Sequence, residues 1–338
     1  MESKERIKLL DYLKAICVVM VIVTHYDWAD KTSPVFTMGI NMAVPVFMIL
    51  SGYNFAMSNK KKAEGKIRKM YRWEMIRPKL VRFLLPFLFI CIVEIALLVE
   101  EGKHINLFRI FLFGAYGPGS YYVPVLLQLL VVFPIIYVLV ERNAKLGLAA
   151  AAVLNLGFEV FVQMTAMEKY YYRLLIGRYL LLIAFGCYLY LHPEQRLRKI
   201  HMFTMLAIGL GYIIEVLGFE RDPIVFDYWT PTAMPVAFYI FPIIVIVFRR
   251  FYHARVDGMV GQVWELLGKA SYHIFLIQMV YYHFELGGRL MKLPAIAAVT
   301  ANVIICCTVG TLFYELECYG LRQIRLIKNI YRRKRYVI

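Results

Sequence analysis

Ten stretches of the chain are apolar for long enough to cross ~30 Å of hydrocarbon as helices. They lie at 9–27, 35–57, 83–100, 121–140, 148–166, 174–191, 202–219, 233–248, 266–285 and 294–316. No internal repeat, Ser/Gly-rich linker or low-complexity tract breaks the series. The pattern predicts an all-α fold: a polytopic membrane bundle of about ten transmembrane helices. One integral domain is expected over 1–338, its last span followed by a basic tail at 317–338.

The cations then give the bundle a direction. Lysines and arginines number 29 in the alternate pieces 1–14, 58–82, 141–147, 192–201, 249–265 and 317–338, against 8 in the intervening loops. The positive-inside rule therefore predicts both termini in the cytoplasm of a multi-pass cell-membrane protein. Composition agrees, with 61% hydrophobic and 18% charged residues where soluble domains carry nearer ~25% charge. A net charge of +16 would suggest nucleic acid in a soluble protein. Here the cations fall in alternate loops, so the expected partner is membrane lipid and no nucleic acid.

Lys4, Arg6 and Lys8 before an apolar core resemble a cleaved leader, but His25-Tyr26-Asp27-Trp28 follows in place of small residues, predicting a retained first span. Cys17, Cys91, Cys187, Cys306 and Cys307 lie inside apolar runs and Cys318 just beyond the last. They read as small hydrophobes, with no disulfide framework and no metal-ligand spacing.

The first span carries the sharpest chemical signal. Lys14 and His25 are eleven residues apart, almost three helical turns, so they share one face ~16 Å apart along the axis. Between them every residue is apolar or small. Charged and imidazole groups are costly in lipid and usually face a protein interior or cavity. Lys14 can also snorkel to headgroups, and Asp11, three residues earlier, is placed to partner it.

Elsewhere the candidates are more diffuse. Lys79 and Arg82, at i and i+3 beside the third span, are spaced to converge on a phosphate. Ser51-Gly52 in the second span permits close helix contact, and the segment from Gly114 to Pro124 brings Tyr121 and Tyr122 toward the outer boundary, where rings suit a sugar or an interfacial belt. Ser271, Tyr272 and Gln278 fall within two turns of the ninth span, while Gln128, Glu94, Glu159 and Glu215 are polar groups within apolar runs.

Taken in order, these motifs resemble acyltransferase family 3, integral membrane proteins that move acyl groups from acyl-CoA to acceptors that are often cell-surface glycans. The resemblance rests on Arg6 to Lys14 followed by His25, on Phe47 to Ser51-Gly52, on Lys79-Leu-Val-Arg82, and on Ser271-Tyr272 to Leu276. Three positions depart from the family pattern. Lys14 stands where Arg is commoner, Tyr121-Tyr122 where a Trp is usual, and Gln278 where many members have His. Lysine keeps the charge but loses bidentate hydrogen bonding.

The resemblance implies acyl-CoA as donor substrate, with no permanently bound cofactor and no metal. It implies Lys79 and Arg82 as holders of the coenzyme A phosphates. His25 is expected to be the general base and Lys14 to act between the donor surface and His25. Ser51, Tyr122 and Tyr272 are the expected substrate-binding residues. Buried charge in a helical bundle also fits a transporter or flippase with Lys14 and His25 on the path, or a catalytically silent scaffold.

Overall fold

A computed structural model describes residues 7–28, 31, 33, 36, 39–64, 66–194, 198–219, 233–288 and 293–335. Lys4 and Arg6, and the whole of the expected loop at 220–232, lie outside the described residues. Among the described residues the fold is all helical, without strands.

Each of the ten apolar stretches falls on helix. The first forms α1 (Lys8–His25), and the second forms α2 (Ala43–Ala63) after a 3-10 turn at Ile40–Met42. The basic segment at 58–82, expected as a loop, is itself mostly helical. It comprises the end of α2, the short α3 (Ile67–Met70) and the start of α4 (Trp73–Glu100). Lysine and arginine are good helix formers, so a charge run ends an apolar span without ending the helix. The expected tail behaves likewise, continuing a 41-residue helix to Arg335.

A short α5 (Leu107–Leu112) precedes α6 (Tyr122–Arg142), and one residue, Asn143, turns the chain into α7 (Ala144–Met164). The Asn143 side chain accepts from the Leu146 amide at 3.1 Å, a cap that starts α7 four residues before its expected span. After α8 (Lys169–Leu174) and a 3-10 turn at Ile176–Tyr179 come α9 (Leu180–Leu191) and α10 (Lys199–Ile213), the latter ending in a π turn at Ile214–Gly218. The last three helices are α11 (Val236–Phe251), α12 (Gly258–His283) and α13 (Ala295–Arg335).

Among the described residues six helical segments are long and apolar enough to cross a membrane: Ile40–Ala63, Trp73–Glu100, Tyr122–Arg142, Ala144–Met164, Lys199–Val216 and Ala295–Ile324. α11 is short at 16 residues, and α1 carries Lys8, Asp11 and Lys14 within its 18. Outward faces bear large apolar side chains such as Ile92, Val131, Phe203 and Ile296, 63–79% exposed. Apolar surface spread over so many helices suits lipid and not water.

Small residues set the two closest packings. A Cβ on Gly52 would lie 2.1 Å from the Ile183 carbonyl oxygen, and one on Gly186 only 1.9 Å from that of Ile49, so α2 and α9 meet backbone to backbone. Gly268 similarly lets α12 reach the backbone of α1 at Asp11, where a Cβ would come within 2.0 Å of the carbonyl oxygen. α1 and α12 run parallel: Lys8 pairs with Glu265 at 2.6 Å, and near the other end the Tyr282 hydroxyl donates to the Ile22 carbonyl at 2.9 Å.

Candidate active site

The parallel pair α1 and α12, with α2, α4, α6 and α13, surrounds a cavity of about 2050 Å³. Pockets for single small molecules run nearer ~300–1,000 Å³, so the space accommodates more than one substrate. α1 serves as its axis. Near the start of α1 the lining carries Lys8, Lys14, Lys61, Arg77, Arg82 and Lys269, with the carboxylates Asp11 and Glu317. Phe47, Ser51, Tyr122, Tyr272 and Phe275 form a waist, and His25 lies at the opposite end with Lys31, Lys169, Arg173 and Arg178.

Lys14 lies two turns into one unbroken helix of which His25 is the last residue. The Lys14 ammonium lies 3.3 Å from an Asp11 carboxylate oxygen, and Asp11 is 1% exposed. This pairing is the one its i,i+3 spacing anticipates, and it lowers the cost of holding the lysine half-buried. His25 is partly buried, its ring 6.2 Å from that of Tyr282. Lys31 and Arg173 are the charged side chains that act on it.

At the waist, Ser51 hydrogen-bonds to Tyr122. The Tyr122 ring packs against Phe47 at 6.1 Å and Phe275 at 5.2 Å, so α2, α6 and α12 converge on an aromatic constriction. Gly52 turns to α9 while Ser51 faces the cavity: packing and lining are divided between adjacent residues. The Tyr272 hydroxyl donates to the Phe83 carbonyl at 2.9 Å, in the turn of α4 that Pro86 deprives of an amide donor.

Lys79 and Arg82 do not converge on one point. Arg82 lines the cavity, but Lys79 donates to the buried Asn59 at 3.0 Å and lies 4.6 Å over the Phe55 ring. Arg77, immediately before Pro78 in α4, lines the cavity with Arg82.

Most of the polar groups within apolar runs serve architecture. Gln128 donates to the Leu174 carbonyl at 2.7 Å and accepts from the Ile176 amide at 3.0 Å, bridging the break between α8 and α9. Glu94 accepts from the Tyr116 amide, and Glu159 from the Tyr172 hydroxyl at 2.9 Å. The Gln278 amide donates to the Pro118 carbonyl, fixing the Gly114–Ser120 loop on α12.

Two features went unread in the sequence. Arg178, a lone cation within the sixth apolar stretch, is 4% exposed and lines the His25 end. His273 hydrogen-bonds to Glu317 across α12 and α13, and both line the opposite end. The lone arginine was a visible signal; a His–Glu pair 44 residues apart had none.

The order of these groups along the chain is matched as a whole. A family model for the acyltransferase-3 domain covers residues 7–314, from the start of α1 to the turn of α13 that touches the cavity. The chain belongs to acyltransferase family 3. No curated protein and no solved structure gives a match. Membership joined to six membrane-length apolar segments makes the protein a multi-pass membrane acyltransferase.

Proposed function

We propose that this acyltransferase takes an acyl group, acetyl or succinyl, from cytosolic acyl-CoA and delivers it to a hydroxyl of a cell-surface glycan or another envelope acceptor. The observation that carries the reading is the single cavity running from the cations around Lys14 and Arg82 to His25, in a chain of this family. All ten apolar stretches cross the membrane in this reading, and both termini are cytoplasmic. The excess of cations in alternate loops supports that orientation. Arg77, Arg82 and Lys14 then face the side where acyl-CoA is made, and His25 faces outward.

The coenzyme A phosphates sit among the cytoplasmic cations, and the pantetheine arm follows α1 through the waist. Lys79 supports this subsite from behind, through Asn59 and Phe55. Ser51, Tyr122 and Tyr272 hold the arm and its thioester. Neutral His25 accepts the proton of the acceptor hydroxyl as its oxygen attacks the thioester carbon. Collapse of the tetrahedral intermediate breaks the carbon–sulfur bond, and the imidazolium returns the proton to the departing thiolate. The aromatic waist limits water at the thioester.

His25→Ala should lower acyl transfer by at least ~10²-fold, the low end for loss of a general base. Purified protein supplied with labelled acetyl-CoA and a glycan acceptor gives the rate, and membrane insertion with donor binding shows that the variant is intact. Full transfer by His25→Ala overturns the assignment. Family membership favours this reading over a transporter, which would bind no acetyl-CoA.

A further inference from the structure

Acyl-CoA ends in an adenine, a flat ring that neither the cations of the donor end nor the aromatic waist accounts for. The donor end has two unlike walls. Arg77 and Arg82 line it on α4, with Lys79 behind them against Phe55 and Asn59 of α2. The segment 252–257, which joins α11 to α12, brings Tyr252 and His253 to the same cavity. The Val256 amide donates to the Tyr12 hydroxyl at 3.2 Å, which ties this segment to the start of α1 and so to the donor end.

α2 stands between the two walls and turns one face to the space. Ser51, Asn54, Ser58 and Lys61 follow at three- and four-residue intervals, and all line the cavity together with Met57. Asn54, Met57 and Ser58 stay partly exposed, whereas Phe55, Ala56 and Asn59 on the other faces are buried. On one flank of this stripe Phe55 and Asn59 meet Lys79; on the other the Tyr53 hydroxyl lies 3.4 Å from that of Tyr252. The Tyr252 ring is also set by Phe248 at 6.5 Å and by His253 at 5.0 Å, the last at 79° between planes. Tyr252 is 36% exposed and His253 is exposed. Rings of an interfacial belt face lipid, but these two border the cavity.

We propose that this wall is the nucleobase subsite: Tyr252 and His253 stack the adenine of acyl-CoA, Asn54 and Ser58 hydrogen-bond its edge, and Lys61 meets a phosphate at the mouth. This rests on the acyltransferase reading with a coenzyme A donor, and it seats the part of the donor which that reading leaves unplaced. Stacking on an aromatic face holds any base. A side-chain amide adds selectivity, because it donates to adenine N7 while accepting from the N6 amino group. With the base on this wall and the phosphates between Lys61 and the arginines of α4, the pantetheine arm enters at the centre of the mouth, beside α1.

The test uses the full chain in nanodiscs of neutral lipid with two donors, acetyl-CoA and S-acetyl-4′-phosphopantetheine, which lacks the adenosine. Binding and acetyl transfer to a glycan acceptor are measured separately. The parent should bind acetyl-CoA about ten-fold more tightly than the truncated donor. Adenosine 3′,5′-bisphosphate should compete for the site about ten-fold better than ribose 3,5-bisphosphate, which has the same phosphates without the base. Tyr252→Ala should weaken acetyl-CoA binding about ten-fold, the scale of one lost stacking contact, and leave the truncated donor unaffected. Tyr252→Phe keeps the ring and should recover most of that loss.

Equal affinity of the parent for the two donors overturns the inference, as does a Tyr252→Ala variant that weakens both alike or neither. Equal competition by the two bisphosphates overturns it as well. If Tyr252→Ala fails to insert, His253→Ala and Asn54→Ala decide on the same pair of donors. Adenosine-dependent binding without transfer would uphold the subsite and sink the acyltransferase reading; transfer from two donors bound equally well would do the reverse.

Discussion

At the scale of single residues the contrast between Lys14 and Lys79 is instructive. Both are lysines close to apolar spans, yet one lines the cavity beside Asp11 and the other is turned into the wall against Asn59 and Phe55. The sequence locates each on its helix, but helix rotation and the neighbours of α2 decide which way each faces. Lys14 was legible because its partner lies one turn away on the same helix. Arg77, which shares the cavity with Arg82, was not, because its spacing does not say which face of α4 meets the cavity. Lys14→Arg keeps the charge beside Asp11 and should keep acyl transfer within about three-fold of the parent. Lys14→Met removes the charge from the proposed donor path and should raise the KM for acyl-CoA about ten-fold, the effect of losing ~1.4 kcal/mol of binding. Steady-state kinetics in detergent read both, and an unchanged KM in Lys14→Met returns the residue to a purely structural pairing.

At the scale of elements, apolar runs identified where helices lie better than where they end. All ten expected stretches fall on helix, but α4 starts at Trp73, ten residues before its expected span, and α13 continues to Arg335. Hydropathy marks the boundary with lipid, and a basic amphipathic segment stays helical beyond it. The Ser51-Gly52 pair was legible as a packing signal, but its partner was not: Gly186 lies more than a hundred residues further on, and only the packing of α9 beside α2 brings it there. Gly52→Val should therefore force the two backbones apart and lower stability by ~1–3 kcal/mol, the range for overpacking. Gly157→Ala, where a Cβ meets nothing within 4 Å, should be neutral. Thermal unfolding in detergent compares them, and equal melting temperatures would refute the close approach.

At the scale of the whole molecule, the fold builds one cavity with two cationic ends and an aromatic waist, and the proposed chemistry depends on that division. Cations at both ends would make a continuous polar route for water unless the rings between them closed it, and a thioester reached by water is hydrolysed. Phe47, Tyr122 and Phe275 come from helices far apart in sequence, so the constriction was not readable from any one motif, although each ring was visible in its run. Tyr122 plays two parts there, filling space and bonding Ser51, and two substitutions separate them. Tyr122→Phe retains the ring and should keep acyl-CoA hydrolysis low, with transfer reduced a few-fold by loss of the hydroxyl. Tyr122→Ala opens the waist and should raise the ratio of hydrolysis to transfer about ten-fold, measured as free coenzyme A released per acylated acceptor. If Tyr122→Ala leaves that ratio where Tyr122→Phe leaves it, the waist does not seal the donor from water, and the barrier must lie in the substrates themselves.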